Sequence, residues 1–140
     1  YKFMSGTPPI PCLYTAQAGL EIIKKVGINP IREKSKRLTQ LIINEAEKRG
    51  FTIFSPENSG QRGGAVAVSL PHAHQVKQSL ETRRIKVDFR KGKKGEPDII
   101  RLGPHFYTRE EEIQLTFDAI DEILDSGEYL NFSPEITQVT

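Results

Sequence analysis

The chain has 140 residues, of which 20 are basic and 18 acidic, so the formal net charge is +2. This length supports one domain with a hydrophobic core, and the near balance of charge argues against a nucleic-acid-binding surface. The single cysteine, Cys12, excludes a disulfide framework and a cysteine-based metal site, and it fits a reduced, cytoplasmic protein. No apolar run approaches the roughly 20 residues of a membrane span, and no signal peptide is visible.

The first ten residues predict a loop, because Gly6, Pro8 and Pro9 interrupt regular structure. Gly6 permits close approach of the backbone to a ligand, and Thr7 offers a hydroxyl, so the loop either binds a phosphate or simply turns. The chain starts without an initiator methionine and reads as the interior of a longer protein. We therefore expect a fragment.

Two helices are predicted next. The first covers residues 12–26 and stops at Gly27, and the second is capped by Asn29, has Pro30 at its first position and ends at Gly50. Apolar residues at spacings of three and four give the first helix one apolar face: Leu13, Ala16, Leu20, Ile23 and Val26.

Residues 51–54 and 64–70 predict two strands that pair antiparallel across a polar loop. Arg62 stands just before the second strand, where it either faces a ligand or, as we expect, lies exposed on the surface. A helix over 71–82 follows. Its two histidines, His72 and His74, are two positions apart and do not share a helical face, which argues against a zinc site.

Strands are predicted over 85–89 and 99–102, and a last helix begins at Thr108 with a capping box and stops at Gly127. The order of helices and strands predicts an α+β fold, with a small, mainly antiparallel sheet of about four strands covered by helices. We expect residues 1–29 to lead into a domain formed by 30–126, and residues 127–140 to form a tail.

A single arginine, Arg101, interrupts the apolar strand over 99–102. A guanidinium in such a setting is costly unless an anion meets it, and its planar fork suits a carboxylate or a phosphate. Two interpretations stay open from the residues alone. Arg101 either binds the anionic group of a small acidic substrate or forms a structural ion pair with a nearby Asp or Glu.

Five short motifs occur in the order seen in kynureninases, and the resemblance runs from Phe3 to about Leu124. Kynureninase is a class V aminotransferase-type enzyme of fold-type I that uses pyridoxal 5'-phosphate (PLP), and the chain resembles its C-terminal small domain. The motifs are residues 5–10 (SGTPPI), 31–35 (IREKS), 62–64 (RGG), 87–90 (VDFR) and 100–102 (IRL), the last followed by Pro104 and Tyr107.

The resemblance implies a hydrolase that converts L-kynurenine to anthranilate and L-alanine, with PLP as electron sink. It implies that Arg101 binds the substrate α-carboxylate, and that Thr7, with Gly6 beside it, contacts the PLP phosphate of the neighbouring subunit of a homodimer. For Asp88 and Arg90 it implies no catalytic role, and a salt bridge that fixes the strand is expected.

No lysine of this chain matches the family's Schiff-base lysine, which is expected upstream of Tyr1. The chain is therefore expected to contain no catalytic residue and to be inactive alone. Alternatives stay open: another class V enzyme such as an aminotransferase or epimerase, or a non-catalytic interaction module. A cysteine desulfurase is less favoured because no cysteine lies between Phe51 and Arg101.

Overall fold

The computed structural model describes Gly6 and residues 9–134, and the chain divides into two compact units, residues 1–34 and 35–140. Its elements are α1 (Ile10–Val26), α2 (Ile28–Lys48), β1 (Thr52–Ile53), β2 (Val66–Ser69), α3 (Ala73–Thr82), β3 (Asp88–Arg90), β4 (Ile99–Leu102), α4 (Glu110–Ser126) and a 3₁₀ turn (Glu128–Asn131). None of the helices in this described part is long and apolar enough to cross a bilayer.

The junction between the first two helices differs from the prediction. Asn29 does not cap α2, because α2 already begins at Ile28. Gly27 alone makes the turn: its φ of 89° is in the range that favours glycine, and its amide donates to the Ile23 carbonyl at 2.8 Å. The apolar face predicted for α1 contains no buried residue, and Leu20 is 61% exposed.

The sheet confirms the predicted fold class. Its four strands lie in the order β1-β2-β4-β3, and every neighbouring pair is antiparallel. β4 is therefore an inner strand, with Ala67 of β2 opposite Arg101 on one side and Asp88 of β3 opposite Arg101 on the other. β3 lies next to β4 and forms the edge of the sheet. The hairpin that connects the two strands therefore fixes which side chains stand beside Arg101.

One face of the sheet is buried against α2, α3 and α4. Alternate residues of β2 and β4 point into this core, as period two requires. The best-buried members are Leu38, Ile42, Val66, Val68, Val76, Leu80, Ile100, Phe117, Ile120 and Ile123. The residues between them in the strands face the other way and are half-buried or exposed.

The start of α4 lies two residues later than predicted. Thr108 is not the capping residue; its hydroxyl accepts the His105 amide at 3.0 Å and closes the preceding turn. The helix begins at Glu110, and the Glu112 carboxylate accepts the amide of the capping residue, Arg109, at 2.7 Å. The predicted stop at Gly127 is confirmed, with a φ of 72°.

A charged network ties α2 to α4. Glu45 is 3% exposed and receives Arg49 Nη1 at 2.7 Å and Lys48 Nζ at 2.5 Å. Arg49 also reaches across to α4, where Nε lies 2.7 Å from Asp121 and the guanidinium stands 5.1 Å from the centre of the Phe117 ring. The buried carboxylate is thus compensated by two cations, which is the condition for keeping a charge in a core.

Removing Arg49 should destabilise the fold. We expect Arg49→Ala to lower the free energy of unfolding by about 2–3 kcal/mol, because the bridge to Asp121 is lost and Glu45 loses one of its two cationic partners. Arg37→Ala is the matched control: its pair with Glu110 is as short, 2.7 Å, but both side chains are at least half exposed, so the loss should be under about 1 kcal/mol. Urea titration of both variants measures the difference, and equal losses would contradict this interpretation.

The same network predicts loss of stability in acid. Hydrogen bonds from Lys48 and then Arg49 hold the pKa of Glu45 below its ordinary value of 4.5. Because the pKa is lower in the folded state, the ionised Glu45 carboxylate stabilises the fold above pH 4.5. This contribution is lost as the pH falls through the lowered pKa. In Glu45→Gln the stability difference from the wild type should therefore shrink between about pH 7 and about pH 3. Parallel unfolding curves at each pH provide the test, and a constant difference would show that the Glu45 charge is not involved.

Candidate functional site

Arg101 lies on the face of the sheet that turns away from the helices. Its neighbours in β4, Ile100 and Leu102, are buried in the core at 0% and 8% exposure, whereas the Arg101 side chain is 46% exposed. The small side chain of Ala67 stands opposite it on β2. The guanidinium is therefore held by an inner strand and remains open to solvent.

Asp88 is the direct partner of Arg101. Its Oδ2 accepts the Nε–H of Arg101 at 2.8 Å and lies 2.6 Å from Nη2. The same oxygen is 3.1 Å from Nη2 of Arg90, so the salt bridge expected for Asp88 and Arg90 is confirmed. The structural ion pair proposed for Arg101 is also present. Ligand binding by Arg101 is a separate question and stays a prediction.

The charges in this cluster do not cancel. Two guanidinium groups, Arg90 and Arg101, share one carboxylate, Asp88, which leaves one positive charge on the open face of the sheet. Within the described part of the chain, Nη1 of Arg101 makes no hydrogen bond or ion pair. The cluster can therefore accept one further anionic group without displacing Asp88.

An apolar groove adjoins the cluster. Ile99 stands two residues before Arg101 and so points to the same face of the sheet. It lines a depression of about 280 Å³, whose other members are the mainly apolar Phe54, Pro97 and Gly92 and the charged Lys91 and Glu96. Phe54 is 53% exposed there. The open face thus places a cationic group beside an apolar surface, an arrangement that suits an amino acid with an apolar side chain.

Arg62 contradicts the prediction of an exposed surface arginine. It is 3% exposed, and its guanidinium donates to the carbonyls of Pro56 and Glu57 at 2.8 and 2.7 Å and to the Gln40 side chain at 3.1 Å. The loop carbonyls between β1 and β2 are the acceptors that make this burial possible. Arg62 therefore organises the loop, and the sequence does not signal this role because the carbonyls of Pro56 and Glu57 that it contacts are backbone atoms.

The other residues considered from the sequence lie apart from this cluster or outside the described residues. Thr7 lies outside them, and Gly6 is exposed, with open space where a Cβ would stand. His72 stacks on Tyr129 at 4.1 Å between ring centres, and His74 packs against Phe89 at 4.9 Å. The histidines thus make separate ring contacts, and no group of three metal-binding side chains is found among the described residues.

Comparison with protein-family models shows to which family the chain belongs. Residues 31–120 match the model of the kynureninase C-terminal domain. The chain belongs to the kynureninase C-terminal domain family. The matched range contains all four strands and Arg62, Asp88, Arg90 and Arg101, so the cluster on the open sheet face belongs to the part that carries the relationship.

Curated relatives extend the kynureninase match over most of the chain. A kynureninase of Geobacillus thermodenitrificans is 33% identical over 138 residues, covering 95% of this chain and 31% of the relative. One from Burkholderia mallei is 29% identical over 130 residues, covering 89% and 30%. The chain thus spans about a third of the length of the curated kynureninases it matches.

Solved structures confirm the fold, which is that of the C-terminal domain of fold-type-I PLP enzymes. A cysteine desulfurase from Thermococcus onnurineus superposes with a TM-score of 0.77 at 23% identity, covering 89% of this chain and 33% of that one. An 8-amino-7-oxononanoate synthase from Francisella tularensis gives 0.64 at 16% identity, covering 90% and 36%. At these identities the likeness concerns the fold alone.

The buried position of Arg62 predicts that lysine cannot replace it. We expect Arg62→Lys to lower the free energy of unfolding by about 2 kcal/mol, because an ammonium group cannot reach three acceptors with the geometry of the guanidinium fork. The exposed Arg90→Lys, on a side chain that is 58% exposed, is the matched control and should change stability by less than about 0.5 kcal/mol. Chemical denaturation of both variants checks this, and a loss at Arg62 as small as that at Arg90 would argue against its role in the loop.

Proposed function

We propose that this chain is the C-terminal domain of a PLP-dependent hydrolase of the kynureninase type, which cleaves L-kynurenine to anthranilate and L-alanine. The observation that carries the proposal is the position of Arg101, inside the family match and on the open face of the sheet with Nη1 unengaged among the described residues. A kynurenine-like substrate has an α-carboxylate for the guanidinium and an apolar ring for nearby apolar surface.

In this proposal the chain binds and orients the substrate. The Arg101 guanidinium fixes the α-carboxylate through charge-assisted hydrogen bonds, and fixing one end of the substrate restricts how the reacting bonds are presented. PLP, when bound, supplies the electron sink for cleavage beside the α-carbon. The lysine that would hold PLP is expected in the sequence that precedes Tyr1 in the complete protein.

Among the described residues, none encloses Gly6, the loop residue proposed to lie beside the PLP phosphate. Gly6 is exposed, and a Cβ placed on it would meet no atom within 4 Å beyond its adjoining residues, so no enclosing phosphate site surrounds it here. Contact of Gly6 and Thr7 with the PLP phosphate is proposed for the complete homodimer, in which the sites are shared between subunits. Residues 30–126 would then be the small domain, preceded by the lead-in segment 1–29 and followed by 127–140, in a cytoplasmic enzyme.

The main competing proposal is a different class V reaction on the same fold. The likeness to a cysteine desulfurase raises this question. Cys12, however, lies exposed on α1, in the unit formed by residues 1–34, whereas Arg101 lies in the other unit. No cysteine lies between Phe51 and Arg101, the segment in which a desulfurase nucleophile is expected, so this reaction is less favoured. Aminotransferase or epimerase activity, and a non-catalytic module, are the remaining alternatives.

An activity assay of the complete protein tests the proposal. With PLP bound, the protein should show the visible absorbance of the attached cofactor and release fluorescent anthranilate from L-kynurenine. Cofactor absorbance without anthranilate would overturn the kynureninase reaction and favour another class V enzyme. Absence of cofactor absorbance would overturn the PLP proposal as a whole and favour a non-catalytic module.

Variants of Arg101 test its assignment. In the complete enzyme we expect Arg101→Ala to lower kcat/KM by about 100-fold or more, because a charged hydrogen-bonded contact is lost. Arg101→Lys should also be impaired, since a point charge cannot replace the fork. Arg37→Ala, which removes an exposed ion pair between α2 and α4, is the control and should keep wild-type kinetics. Unchanged kinetics of Arg101→Ala would show that it does not bind the carboxylate.

A further inference from the structure

We propose that Asp88 is a positioning residue, which holds the Arg101 guanidinium so that its outer edge faces the substrate carboxylate. This inference rests on the proposed role of Arg101 and assigns a function to its partner. Asp88 does not touch the substrate in this proposal. It acts through Arg101, by fixing which N–H groups of the guanidinium are engaged inside the protein and which are left for the ligand.

The contact geometry carries the first step. A guanidinium has five N–H donors arranged around a plane. Asp88 uses a single oxygen, Oδ2, which lies 2.8 Å from Nε and 2.6 Å from Nη2 of Arg101 and so occupies the edge between those two nitrogens. The opposite edge, between Nη1 and Nη2, keeps its donors directed away from Asp88. That edge can pair with a carboxylate through two parallel hydrogen bonds.

The backbone of the β3–β4 hairpin fixes the position of Asp88 beside Arg101. Asp88 is opposite Arg101 in the antiparallel register of β3 and β4. Their connecting loop is closed by hydrogen bonds from the Gly92 amide to Asp98 at 2.9 Å and from the Glu96 amide to the Lys93 carbonyl at 2.8 Å. A slip of one residue would turn Asp88 to the core face. Asp88 is thus held beside Arg101 by the sheet as well as by its charge.

The charge balance explains why Asp88 does not neutralise the site. Its Oδ2 also lies 3.1 Å from Nη2 of Arg90, so its negative charge is shared between two cations. The Asp88 and Arg101 side chains are 40% and 46% exposed, and water weakens their attraction further. The cluster therefore retains net positive charge for one incoming carboxylate, while Arg101 is restrained in direction.

The test is a double-mutant cycle in the complete enzyme, measured with L-kynurenine. Asp88→Asn and Asp88→Ala should raise KM about tenfold and leave kcat within about threefold, because binding of the carboxylate is lost while the chemistry is not. Asp125→Asn is the matched control: it changes an exposed carboxylate on α4, which packs against the opposite face of the sheet, and KM should stay within about twofold. In the Arg101→Ala background, the Asp88 substitutions should add no further loss.

Each outcome decides between the assignments. An equal loss from Asp88→Asn with and without Arg101 would overturn the positioning role and leave a general structural one. A lowered KM would overturn it by showing that Asp88 competes with the substrate for Arg101. Normal kinetics of both Asp88 variants, with Arg101→Ala impaired, would also overturn it while leaving the proposed function in place. Normal kinetics of Arg101→Ala would instead remove the proposed function, and the inference with it.

Discussion

The alternation of side chains along β4 is the constraint on which the site depends. Ile100 and Leu102 are drawn into the core, and period two then forces Arg101 to the opposite face. Burial of two apolar side chains, each contributing roughly 1.5–3 kcal/mol, therefore determines where a cation stands. The strand cannot rotate to hide the arginine without exposing both of its neighbours, so the core and the site are specified together.

Burial also separates the arginines by role. Arg62 is buried and Arg49 is partly buried, with a side chain 15% exposed, and each contacts acceptors of the protein itself: carboxylates of two helices for Arg49, loop carbonyls for Arg62. These contacts lie within the fold and stabilise it. Arg101 instead has Asp88 as its one ion-pair partner among the residues that the structure describes, and it remains nearly half exposed. An arginine that the sheet holds but does not enclose is suited to an external anion.

The pairing of Asp88 with Arg101 could have been inferred from the sequence with one further step. The residues between the last two predicted strands are rich in lysine and glycine, and a hairpin that turns symmetrically about Lys94 and Gly95 brings Asp88 opposite Arg101, as observed. Gly95, with a φ of 90°, marks that turn. The groove beside Ile99 could not be inferred in this way, because Phe54 reaches it from the far strand of the sheet.

Local sequence was enough to determine the α+β class, the four strands, the helix stops at Gly27 and Gly127, and the kynureninase resemblance, because these follow from periodicity, turn chemistry and short motifs. Tertiary structure decided the burial of Arg62 and the start of α4 at Glu110. It also decided which edge of Arg101 is engaged. These features depend on backbone carbonyls and cross-strand partners that become neighbours only after the chain folds, and neither is visible in the spacing of residues along it.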